Sequence, residues 1–156
     1  MKICTYLQTE HIFLHTTLPD KEAVLRFVAD TCVRNGIVKD ADTLYEGMQK
    51  REQTMSTGIG GGIGFPHTTS LEAQDAFVLL IHLAEPIDFE ALDMMPVDII
   101  MALVIPEKQT GLHLRILAGA SRLCRKPEFL DAVRKAENPK KLCEAITSIE
   151  EEIPFH

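Results

Sequence analysis

His67 closes the segment Ser56-Thr57-Gly58-Ile59-Gly60-Gly61-Gly62-Ile63-Gly64-Phe65-Pro66-His67, which packs five of the chain's nine glycines into seven positions. Imidazole is a nucleophile and proton carrier near neutral pH. Glycine-rich backbone bends sharply and brings its amides close to an anion. The pairing points to a site where phosphate meets imidazole. Pro66 fixes its own φ and confines Phe65 to extended backbone, so His67 is presented in a defined direction. The plainer alternative is a flexible surface turn, but a solvated linker would not alternate glycine with Ile59 and Ile63.

Two familiar phosphate loops do not fit. A Walker loop needs G-K-[ST] after its glycines, and Phe65 follows Gly64. A dinucleotide loop needs G-x-G-x-x-G between a strand and a helix. Counting from Gly58 and Gly60 the last position is Ile63, and from Gly60 and Gly62 it is Phe65. No G-x-S-x-G element supports a serine hydrolase.

The neighbours of the loop admit two readings each. Arg51 can neutralise a phosphoryl group on His67, or belong with Lys50 and Glu52 to a solvated helix end. Ser56 and Thr57 can donate hydroxyls to the same group, or close the turn. His113 opens the helix after a strand ending at Ile105, so it can approach His67; otherwise it is an ordinary first-turn residue. His11 and His15 read as exposed, His82 as a hydrogen-bonded, partly buried strand residue, and His156 as an unexceptional terminal residue. No histidine or carboxylate cluster has metal-ligand spacing. The four cysteines lack C-x-x-C spacing and read as reduced core thiols of a cytosolic protein.

The chain's 156 residues predict one domain over 1–156 with a substantial core. Apolar residues make up 46% and charged ones 25%, as in soluble globular proteins. A net charge of −7 argues against nucleic acid and anionic membrane as partners. No signal peptide or membrane span is indicated.

The elements that must position these residues follow from periodicity. Ile12 to Leu14 predicts a first strand. Asp20 caps a helix with Ala23, Val24, Phe27, Val28, Cys32 and Val33 inward, closed by Gly36. Asp40 or Asp42 starts a second, with Leu44, Met48 and Tyr45 inward, ending near Arg51 or Glu52 at the mouth of the loop. Ala76 to Leu83 and Val97 to Ile105 read as central strands covered on both faces. Ile63 to Phe65 reads as a short third strand carrying His67, and Glu85 to Phe89 as a turn. Three helices follow, around Leu112 to Leu123, after Pro127, and after the Asn138-Pro139 cap. Glu150 to Glu152 reads as a solvated, fraying end. The pattern is α/β, a mixed sheet with helices on both sides.

Two separated blocks carry a family resemblance. The string Arg51 to His67 resembles the signature of enzyme IIA domains of the phosphoenolpyruvate-dependent phosphotransferase system, of the fructose, mannitol and nitrogen-regulatory type. The run Pro96 to Leu117 resembles the strand, loop and helix that bear the family's second histidine. The similarity covers nearly the whole chain. It implies a central mixed sheet flanked by helices, with His67 as the phosphorylated histidine through Nε2, His113 stabilising the phosphoryl group, and Arg51 nearby. Loop amides around Ser56, Thr57 and Gly58 would add to that phosphate-binding set, with no metal or cofactor. The implied donor is a histidine phosphocarrier protein, and transfer is in line between two imidazole nitrogens. Thr68 and Thr69 stand where many relatives have glycine and a basic residue, which removes one expected cation. Gly64-Phe65 replaces a more usual small and aliphatic pair.

The run Ile105 to Thr110 resembles the nitrogen-regulatory branch, whose members control other proteins by binding them. A regulated target protein is the first expectation for a partner. The second is a IIB domain in fructose or mannitol uptake. A third is a non-catalytic interaction module, since the cytoplasmic domain of anion exchangers shares the fold.

Overall fold

The structure is a computed structural model that describes residues 2–153, Thr110 by its backbone alone; His156 lies outside the described residues. Six strands and five helices are present among them: β1 Ile12–Thr16, α1 Lys21–Arg34, α2 Ala41–Thr54, β2 Gly58–Gly60, β3 Ile63–Gly64, β4 His67–Ser70, β5 Phe77–Ile87, β6 Val97–Pro106, α3 Thr110–Cys124, α4 Pro127–Lys135 and α5 Pro139–Glu151. Short 3-10 turns at Ile3–Thr5 and Thr9–His11 precede β1.

The sheet runs β1-β5-β6-β3-β2, with β4 also paired to β6. It is mixed: β5 and β6 are antiparallel, while β1 on β5 and both β3 and β4 on β6 are parallel. β5 and β6 are apolar on both faces because both faces are covered. On β6, Ile99, Met101, Leu103 and Ile105 pack with α3, α4 and α5. Ile100, Ala102 and Val104 pack with α1 and α2 on the other side. The helices therefore flank the sheet on both faces, as the apolar runs predict.

Helix starts follow the capping signals. Asp20, Asp40 and Asn138 each accept a backbone N–H three residues on, at 2.8, 3.1 and 2.9 Å.

Several expectations need correction. The segment read as a turn, Glu85 to Phe89, is half strand: β5 continues through Pro86 to Ile87, with a register shift after His82. Proline is tolerated there because bulges free a residue from the ladder. His11 is buried, not exposed, with its ring 4.4 Å from that of Phe77. Glu150 is not at a fraying end. It is buried and accepts the backbone N–H groups of Ile3 and Cys4, each at 2.7 Å, tying the last helix to the first turn. All four cysteines are free thiols, but only Cys32 and Cys124 are core residues; Cys4 and Cys143 are half-buried.

Candidate active site

The glycine run forms a β-hairpin. β2 and β3 pair antiparallel, and the turn uses Gly60, Gly61 and Gly62 at φ 102°, 73° and 84°, a region that side chains rarely adopt. Its tip is held from two sides. Arg134 of α4 donates to the Gly61 carbonyl at 2.9 Å while forking onto Asp98 at 2.8 and 2.9 Å. Asp93 accepts from the Gly61 N–H at 3.3 Å. Burial favours a higher pKa for Asp98, but its hydrogen bonds and charge pairing with Arg134 outweigh this and hold the carboxyl below its ordinary value.

β3 and β4 lie along the same edge of β6, separated by Phe65 and Pro66. Ile63 and Gly64 pair with Ile99 and Ile100, and the ladder resumes with His67 on Leu103. Pro66 has no N–H to give, so the ladder lapses there, although its carbonyl accepts from Leu103 at 3.0 Å. The lapse frees the Phe65 carbonyl, which lies 3.0 Å from His67 Nδ1. A carbonyl only accepts, so Nδ1 carries the ring proton and Nε2 holds a lone pair.

Residues paired across a ladder project to the same face. His67 thus shares the face of Leu103, on which α3 packs, and α3 carries His113 one turn from its start. Arg51 comes from the last turn of α2, on the other face, where it donates to the Met55 carbonyl at 2.9 Å. Because β4 lies outside β6, both layers reach His67. Burial is the largest cause lowering the His67 pKa, and the charges of Arg51 and His113 lower it further; the Phe65 hydrogen bond and Glu52 oppose them. The structure therefore brings His67, His113 and Arg51 together.

Ser56 and Thr57 are engaged elsewhere. The Ser56 hydroxyl donates to the Phe89 carbonyl at 3.0 Å and accepts the Gly58 N–H at 3.0 Å. The Thr57 hydroxyl donates to the Glu52 carboxylate, and its N–H reaches the same group at 3.0 Å. Both side chains close the turn in this structure. Gly58 sits against Ala91 so tightly that a Cβ would lie 2.7 Å from the alanine's own. Thr68 pairs with Val104 and lies against Gly47 of α2, so the first of the two threonines after His67 projects away from the His113 face.

The charge run before the loop hides one residue that sequence reading misses. Glu52 is buried rather than solvated, with 4% side-chain exposure, and is paired to Lys21 at 2.8 Å. The missed signal is spacing: Leu44, Met48 and Glu52 recur every four residues and share the inner face of α2. His82 lies with its Nε2 3.4 Å from Asp98, while its buried Nδ1 has no hydrogen-bond partner.

Comparison with known proteins agrees with this geometry. Residues 5–149 match the family described as phosphoenolpyruvate-dependent sugar phosphotransferase system, EIIA 2. A nitrogen regulatory protein of Pseudomonas aeruginosa is 32% identical over 130 residues, covering 83% of this chain and 84% of that protein. A fructose-specific EIIA component of the phosphotransferase system from Haloferax volcanii is 29% identical over 149 residues, covering 96% of this chain and 97% of that one. The crystal structure of nitrogen regulatory protein IIA-Ntr from Neisseria meningitidis superposes with a TM-score of 0.85 at 24% identity, over 92% of this chain and 98% of that one. The crystal structure of IIA mannitol from Escherichia coli gives 0.75 at 19%, over 90% and 98%. The matched residues include both sequence blocks, the glycine hairpin and the His113 helix, and the chain belongs to the EIIA 2 family of the phosphoenolpyruvate-dependent sugar phosphotransferase system.

Proposed function

We propose that this protein is a phosphohistidine carrier that takes a phosphoryl group from a histidine phosphocarrier protein onto Nε2 of His67. The observation that carries the reading is the hydrogen bond from His67 Nδ1 to Phe65, which leaves Nε2 as the nucleophile. The Nε2 lone pair forms the new N–P bond as the bond to the donor imidazole breaks, and the electron pair leaves with the donor nitrogen. The Nδ1 proton stays on the ring. His67 then bears the cationic charge of a doubly substituted imidazole, faced by the Phe65 carbonyl. Arg51 and His113 balance charge on the phosphoryl oxygens, aided by loop amides including that of Gly58. Ser56 and Thr57 act by holding the loop.

Control of a target protein is the first role, in keeping with the nitrogen regulatory proteins among its relatives. Transfer to a IIB domain for sugar uptake is the second, favoured by its similarity to a fructose-specific component. Either role places the protein in the cytoplasm. Among the described residues no helix is long and apolar enough to cross a membrane.

Incubation with phosphoenolpyruvate, enzyme I and a phosphocarrier protein should add one acid-labile, base-stable phosphate, and His67→Ala should abolish it. A label that persists in the variant would sink the assignment. Passage of that phosphate to a IIB domain and on to sugar supports uptake; tight binding of one phosphorylation state to a kinase or potassium transporter supports regulation.

A further inference from the structure

The tautomer of His67 rests on one carbonyl, and that carbonyl lies next to the most flexible stretch of the chain. Phe65 O takes the Nδ1 proton. The Phe65 peptide is located through its own N–H, which donates to the Thr57 carbonyl at 3.1 Å. Between Thr57 and Phe65 lie the five glycines, whose backbone gives little restraint of its own. Thr57 must therefore be fixed from outside the hairpin.

Glu52 does this. Thr57 gives both its N–H and its hydroxyl to the two oxygens of that carboxylate. Lys21 of α1 meets it at 2.8 Å, and the ammonium sits 4.7 Å above the Phe89 ring. Three donors from two other segments converge on one carboxylate that is almost wholly buried. The contacts form an unbroken series: Lys21 to Glu52, Glu52 to Thr57, Thr57 to Phe65, Phe65 to His67.

We infer that Glu52 is a positioning residue for phosphoryl transfer, which holds Thr57 so that the Phe65 carbonyl keeps His67 in its Nδ1–H form with Nε2 free to attack. This rests on the reading of His67 as the phosphoryl acceptor. Glu52 touches neither the His67 ring nor any group being transferred, and it acts through the Thr57 and Phe65 peptides. Tight burial makes it hard to replace by chance contacts, because a dangling Thr57 would bring no other acceptor to its N–H.

The test compares wild type with Glu52→Gln and Glu52→Ala, using 15N imidazole shifts of His67 for the tautomer and phosphoryl acceptance from a phosphocarrier protein for the rate. Gln keeps one oxygen for Thr57, so the effect should be graded. The expected result is a mixed His67 tautomer and a kcat lowered about tenfold in Gln and more in Ala, with KM for the carrier nearly unchanged. A folded Glu52→Gln with the wild-type tautomer overturns the inference, whether or not its rate falls. If neither variant folds, Thr57→Val removes only the hydroxyl contact, and its tautomer decides in the same way. Wild type that takes no phosphate would defeat the carrier reading alone, since the tautomer comparison needs no transfer.

Discussion

The Nδ1–H of His67 donates to the carbonyl of Phe65, two residues back, at 3.0 Å. This short contact selects Nε2 as the reactive atom and links the nucleophile to the backbone of the glycine hairpin. It also sets a pH expectation. Burial, with help from Arg51 and His113, holds the His67 pKa below its ordinary 6.5 despite that bond. Phosphoryl acceptance should stay flat through 6.5 and fall only as pH drops through the lowered value. The unfolded chain binds this proton first, so the stability His67 contributes is full above 6.5 and is lost as pH falls through the folded value. A pH–rate profile checks the first statement. Urea midpoints of wild type and His67→Gln at neutral and mildly acidic pH check the second; equal pH slopes would contradict it.

Arg51 and His113 approach His67 from opposite layers, and each lowers its pKa. Arg51→Gln should therefore raise the His67 pKa and slow phosphoryl acceptance by about 10²-fold, through loss of one charge-stabilising donor. His113→Ala should do the same in kind while the fold is kept. An NMR titration of His67 reads the first effect and single-turnover transfer the second. An unmoved titration in both variants would mean that neither cation acts on the ring.

The two central strands, five helices and three caps are legible because each rests on local signals: apolar runs, four-residue stripes, and Asp or Asn before a helix. The pairing of His67 with His113 follows from a resemblance over both blocks, not from spacing, since 46 residues separate them only in the sequence numbering. What sequence reading loses are tertiary replacements of local preference. Glu52 and Glu150 look like solvated charge in a run of charges. Yet Glu52 extends the stripe Leu44, Met48, and Glu150 extends Leu142, Ile146. In each case the inward position wins because buried backbone N–H groups need an acceptor there. The hairpin within the glycines escapes notice for a different reason: two- and three-residue strands are defined by their partners, here β6 and each other.

Gly58 offers a direct test of how closely the hairpin is seated. A methyl group there would lie 2.7 Å from the Ala91 Cβ and 2.8 Å from its Cα, so backbone must move. The same strand is tied to that loop by the Leu92 N–H, which donates to the Gly58 carbonyl at 2.9 Å. Gly58→Ala should cost about 1–3 kcal/mol, as overpacking does elsewhere. Chemical denaturation measures this. Gly58→Ala combined with Ala91→Gly should recover most of the loss; if it does not, the cost arises from Gly58 backbone freedom instead.

Glu150 tests whether a buried carboxylate can hold both ends of a chain together. Its two oxygens each take one backbone N–H at 2.7 Å, from Ile3 and Cys4, across more than 140 residues of sequence. Ile3 is itself fully buried in the core beneath α3 and α5. Removal of the carboxylate would leave both amides without their acceptor in a site that water reaches poorly. Glu150→Ala should lower stability by about 2–3 kcal/mol, the range for charge-assisted bonds left unmade. Glu150→Gln, which keeps one good acceptor, should lose less. Hydrogen exchange at the Ile3 and Cys4 amides separates this from a general loss of helix: those two amides should lose protection before the rest of α5. Protection lost evenly along α5 would show that the carboxylate serves the helix and not the amino-terminal turn.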